Sequence, residues 1–127
     1  MPHVKLGAAL DLSRFHQAFT PRALREDPLV LKAEECYLSS HGRLLLVECV
    51  SVEGHLRQGF FVVAFSADGE TVVRLSPRTH PEKTDGVLRC VAWVAGWLRS
   101  FQPEAESRTT NIATHLARPF PPESTAP

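Results

Sequence analysis

The sequence predicts an α+β fold: a four-stranded antiparallel β-meander followed by a long apolar C-terminal helix, with a short N-terminal helix and a candidate short helix near 110–118. Three observations predict it. Four apolar runs rich in β-branched and aromatic residues follow one another between residues 29 and 76, separated by turn signals. One later stretch, 87–98, is apolar with Arg89 as its only charge. Proline-punctuated segments flank both. They divide the chain into an N-terminal arm with a short helix (1–28), an α+β domain (29–118) and a disordered Pro-rich tail (119–127).

The elements follow in order. Leu12, Phe15, His16 and Phe19 recur at helical spacing, Asp11 or Ser13 is the candidate cap, and Pro21 stops the helix. The strand-like runs cover 29–39, 43–52, 57–65 and 71–76, joined by His41-Gly42, Glu53-Gly54-His55 and Asp68-Gly69. Asp-Gly between apolar runs signals a type I′ hairpin, whose central residues need positive φ. After a polar connector, Pro81 suits a first helical position, Glu82 complements the helix dipole, and the helix is expected to reach Phe101 before Pro103. Val87, Val91, Val94, Leu98 and Phe101 form its stripe, with Trp93 and Trp97 beside it.

Side chains alternate between the two faces of a strand, so the turns sort them. Two-residue turns pair Cys36 with Val47, Glu35 with Glu48, and Val63 with Arg74. One face then carries Leu29, Leu31, Glu35, Tyr37, Leu46, Glu48, Phe61, Val63, Phe65, Val72 and Arg74. The other carries Val30, Cys36, Leu45, Val47, Cys49, Phe60, Val62 and Val73. Both centres are apolar, whereas a half-solvated antiparallel sheet shows polar residues on one face. Both faces are therefore expected to be covered. The long helix covers one. The N-terminal helix, the second short helix or another copy of the chain covers the other, and a homodimer is the favoured expectation.

Composition bounds the function classes. The chain has 127 residues, 43% hydrophobic and 22% charged, which suits one globular domain. Lys+Arg and Asp+Glu are 14 each, so nucleic-acid binding would need a local basic patch rather than a basic excess. Three cysteines without a CxxC pattern argue against a disulfide framework and a zinc ribbon, and read as small apolar residues in a reducing compartment. The opening Met-Pro-His-Val-Lys lacks a signal-peptide pattern and no apolar run reaches the ~20 residues of a membrane span, so a cytoplasmic protein with no membrane partner is expected.

Four constellations are candidates for chemistry. Cys36, His41, Cys49 and His55 resemble metal ligands by letter. However, His41 and His55 sit at opposite ends of one strand, roughly 40 Å apart at about 3.3 Å per residue, so no metal and no cofactor is expected. One end of the meander gathers Glu53, His55 and Arg57 with Arg78, Thr79, His80 and Lys83, near Glu26 and Asp27. The opposite end holds His41, Arg43, Ser66, Asp68 and Glu70, which read as ordinary turn residues. On one sheet face Glu35 opposes Glu48, with Arg74 as a candidate counter-ion and Gly59 leaving room. Opposed carboxylates repel unless one is protonated or a cation intervenes. Walker A, GxGxxG and GxSxG sequences are lacking.

The leading expectation is a non-catalytic small binding or protein-interaction module that is homodimeric, its partner being itself. The alternatives are a single-stranded nucleic-acid-binding protein using His55, Arg57, Arg74, Arg78, His80 and Lys83, and a small enzyme using His55 and His80 or the Glu35/Glu48 pair.

Overall fold

The computed structural model describes residues 1–125. Its elements run β1 (His3–Leu6), α1 (Leu12–Ala18), β2 (Arg22–Glu26), β3 (Leu29–Leu38), β4 (Leu44–Glu53), β5 (Leu56–Ala67), β6 (Glu70–Leu75), α2 (Asp85–Arg99), β7 (Ser107–Thr110), α3 (Ala113–Ala117) and β8 (Glu123–Thr125). All eight strands join one antiparallel sheet in the order β7-β1-β6-β5-β4-β3-β2-β8.

This corrects the predicted fold class. The protein is mostly β, an eight-stranded sheet with one helix of 15 residues and two small helices, not a four-stranded meander with a long C-terminal helix. Helix α2 starts later than Pro81 because Thr84 caps it: its side chain accepts from the Val87 amide, and Asp85 complements the first turn. Gln58 ties down the preceding segment by exchanging bonds with the Glu82 backbone at 2.8 and 3.1 Å. The helix ends at Arg99, and β7, α3 and β8 follow it.

The segments expected to lie outside the domain are parts of the sheet. Residues 1–28 are no arm, since they supply β1 against β6 and β2 against β3. The expected Pro-rich tail is ordered through 125 and pairs β8 with β2, while 126–127 lie outside the described residues.

The central hairpins follow their turn residues. Asp68 and Gly69 both take positive φ, and the turn pairs Val63 with Arg74. Cys36 pairs with Val47 and Glu35 with Glu48. The face assignment needs one correction. A bulge between Ala33 and Glu35 inserts Glu34 into β3, so Leu29 and Leu31 lie on the face opposite Glu35 and Tyr37, and Val30 joins the latter.

Both larger helices pack on the same side of the sheet. This inner face presents Leu31, Cys36, Leu45, Val47, Cys49, Phe60, Val62 and Val73. Against it lie Val87, Cys90, Val91, Val94 and Leu98 of α2, and Leu12 and Phe15 of α1, all in one continuous core. Phe15 packs edge-on to Trp97 at 4.8 Å, which places α1 beside α2 rather than behind the sheet. Each such fully buried side chain contributes about 1.5–3 kcal/mol of apolar burial.

Candidate functional site

With α1 and α2 on the inner side, the other face of the sheet has no covering element among the described residues. Helices were expected as one means of covering it, and neither larger helix does so. The outer face carries Tyr37 and Val30 from β3, Leu44, Leu46, Val50 and Val52 from β4, Phe61, Val63 and Phe65 from β5, and Val72 from β6. Phe65 is 46% and Tyr37 48% exposed. A side chain placed at Gly59 would meet nothing within 4 Å, so the space above the first part of β5 is open.

The polar groups on this face partly satisfy one another. The Tyr37 hydroxyl donates to Glu48 Oε1 at 2.9 Å, and the Tyr37 ring meets Phe61 at 6.4 Å. That hydrogen bond raises the Tyr37 pKa above its usual value, with slight burial and the negative charges of Glu48 and Glu35 adding to it. Glu35 Oε1 accepts from the Cys36 amide at 2.9 Å. Glu35 and Glu48 are thus opposed, as turn counting places them, but Arg74 forms no ion pair with either. The register sets Arg74 beside Val63, two strands away from the Glu48 strand. Strand β1 extends the basic side, because His3 pairs with Arg74 and Lys5 with Val72. The face is therefore acidic around Glu35 and Glu48 on β3–β4, apolar along Phe61, Val63 and Phe65 of β5, and basic around Arg74 and His3 on β6–β1, with Lys32 beside Val50, Arg57 beside Val52 and Glu70 beside Ala67 towards the ends of the strands.

The basic set predicted from sequence does not form one patch. His55, Arg57, Arg78, His80 and Lys83 are exposed at the end of the sheet where β4 turns into β5. Arg74 lies further along, six residues from Arg57 by register on β5, or roughly 20 Å. The same end also holds a cleft of ≈ 640 Å³ lined by Glu26, Asp27, Glu53 and Asp85, together with Arg25 and Arg118. These carboxylates oppose an anionic ligand there. His41 is a turn residue whose Nδ1 accepts from the Arg43 amide at 3.1 Å.

The cysteines are interior. Cys36, Cys49 and Cys90 are all buried and free. Burial pushes the Cys36 thiol up to about 12, with the Glu35 charge adding, and burial with the neighbouring Cys90 raises Cys49 well above its usual value. Protonated thiols are poor nucleophiles and poor metal ligands. No group of three or more His, Cys, Asp or Glu side chains among the described residues is placed to hold a metal ion. No helix is long and apolar enough to cross a membrane.

One structural centre escaped the sequence reading. Arg89 is fully buried, and all five of its N–H donors are used. Nε and Nη2 form a bidentate pair with Glu26 at 3.0 and 2.8 Å. Nη1 donates to the carbonyls of His115 and, at 2.9 Å, Arg118, while Nη2 also reaches the Pro119 carbonyl at 2.8 Å. The guanidinium stacks over Phe120 at 3.7 Å. The available signal was Arg89 itself, a lone charge in an apolar helix, which must find partners if buried.

No protein-family model, curated protein or solved structure matches this chain at a significant level.

Proposed function

We propose that the chain is a non-catalytic binding module whose working surface is the outer face of the sheet. The observation that carries this reading is the exposure of Tyr37 and Phe65 on a face that is apolar across its middle strands. Antiparallel sheets tolerate one solvated face, but that face is then polar. A contiguous apolar face marks an interaction surface. The engagement of Glu48 by Tyr37 supports a packing role for the carboxylate over an acid–base role.

A hydrophobic fluorescent probe is the direct test. At concentrations low enough to keep the chain monomeric it should bind saturably, and Phe65→Glu combined with Leu44→Lys should abolish binding while leaving the melting temperature of the monomer nearly unchanged. Substitutions at exposed positions usually stay within about 0.5 kcal/mol. Unaltered probe binding in the double variant would reject the face as the working surface. Labelled single-stranded oligonucleotide provides the competing arm. Binding at low salt that weakens steeply as salt rises would transfer the reading to nucleic acid.

A further inference from the structure

The distribution of charge on the outer face identifies its occupant. We infer that the face binds a second copy of this chain, through a two-fold axis lying parallel to the strands over β5. The inference rests on the outer face being the working surface, and it names the partner.

In a two-fold dimer residue i meets residue j while j meets i, so one patch must be complementary to itself. Two sheets packed face to face have their axis between them. An axis across the strands leaves each strand opposite its own reversed copy, so the acidic and basic strands never exchange and, with the axis at the Glu35–Glu48 row, acid faces acid. An axis along the strands over β5 exchanges β4 with β6 and β3 with β1. Position along the strands is retained, so the register predicts the contacts.

Arg74 shares its row with Leu46 and Tyr37, through Val63. The exchange sets Arg74 over the partner's Leu46, next to Glu48 in the adjoining row. His3, paired with Arg74, comes over the partner's Tyr37, next to Glu35. Basic groups that lack carboxylate partners in one protomer thereby approach carboxylates in the other. On the axis itself Phe61, Val63 and Phe65 meet their own copies, placing the apolar contact at the centre and the charges around it, as in stable interfaces. Arg57 is the single like-charged approach. It lies at the exposed end of β5, where solvent screens it.

The size is adequate. Strands β3–β6 and β1 hold 42 residues, and at about 3.3 Å per residue and about 4.8 Å spacing they span about 670 Å², somewhat below the roughly 800 Å² per partner of standard stable interfaces.

Charge reversal tests this geometry by sedimentation over a range of protein concentrations. Wild type should dimerise. Arg74→Glu places carboxylates against Glu48 at both symmetric contacts, and Glu48→Arg places guanidinium against Arg74. Each should raise the dissociation constant at least about tenfold. An equimolar mixture of the two variants should form heterodimers of near wild-type affinity, because each reversed charge then meets its opposite. Recovery in the mixture also demonstrates that both variants fold. Single reversals that dimerise like wild type, or a mixture that remains monomeric, would overturn the proposed axis. A wild-type chain that is monomeric throughout, yet binds the apolar probe through Phe65, would reject the second copy while leaving the binding face standing. Loss of both would reject both.

Discussion

At the residue scale, the shortest chains of cause run through Tyr37 and the cysteines. The chain has one tyrosine, so phenolate absorbance reports Tyr37 alone. Its hydroxyl donates to the Glu48 carboxylate, and ionisation would leave two anions in contact. The absorbance midpoint should therefore lie above the ordinary value of 10, and Glu48→Gln should bring it down. A midpoint unchanged by that substitution would remove the hydrogen bond from the description of the face. The thiols act in the opposite sense. Cys36, Cys49 and Cys90 are all buried, and Cys36 and Cys49 are also held protonated, so the three should resist alkylation in the native chain and react together upon unfolding, about a hundredfold faster. Rapid labelling of one thiol in the native chain, read by intact mass, would contradict the packing of the inner face.

At the element scale, the Arg89 centre fixes where the C-terminal segment goes. It fastens the carbonyls of His115, Arg118 and Pro119 to α2, and Glu123 continues the attachment by accepting from Trp93 Nε1 at 2.5 Å and Arg22 at 2.9 Å. Arg89→Ala would leave Glu26 only its more exposed partner Arg118 and would strand three carbonyl acceptors. It should cost roughly 3–5 kcal/mol and make residues 113–125 protease-sensitive. Arg118→Ala, removing a pair with an arginine side chain 47% exposed, should cost less than about 1 kcal/mol. Equal losses in urea melts would refute the assignment. The same elements show where sequence reading succeeds and where it stops. The hairpin registers were legible because Asp68-Gly69 and His41-Gly42 constrain the backbone locally. The Glu34 bulge was not, since an extra residue inside a strand carries no turn signal, and it moved Leu29 and Leu31 to the other face. Strands β1, β2, β7 and β8 were missed because short outer strands carry few apolar residues: Ser107–Thr110 reads SRTT. The apolar outer face was legible from alternation alone. That α1 would join α2 on the inner side was not, because it depends on Phe15 meeting Trp97 across the chain.

At the scale of the whole molecule, the segment after α2 supplies both edge strands of the sheet. Strand β7 lies on one edge and β8 on the other, and α3 with the Arg89 centre carries the chain between them. That placement keeps both edges short, four residues in β7 and three in β8, so the outer face offers association more surface than strand addition does. It also makes global stability depend on one carboxylate. Glu26 of β2 meets Arg89 of α2 and Arg118 just after α3, so three parts of the fold converge on it. The Arg89 hydrogen bond lowers its pKa; burial opposes, and the charges of Arg89 and Arg118 add to the lowering. A carboxylate whose folded pKa lies below its unfolded value, about 4.3 for glutamate, contributes stability that is fully present above the unfolded value. That contribution is lost as pH falls through the folded pKa. Urea melts should therefore show wild type losing stability in acid below about pH 5. Glu26→Gln should be the less stable protein near neutrality, with a flatter acid limb, so that the two curves converge as the pH is lowered. Curves that stay parallel down to about pH 3 would show that Glu26 titrates alike in the folded and unfolded chains, and would remove it as the charge on which β2, α2 and the segment after α3 converge.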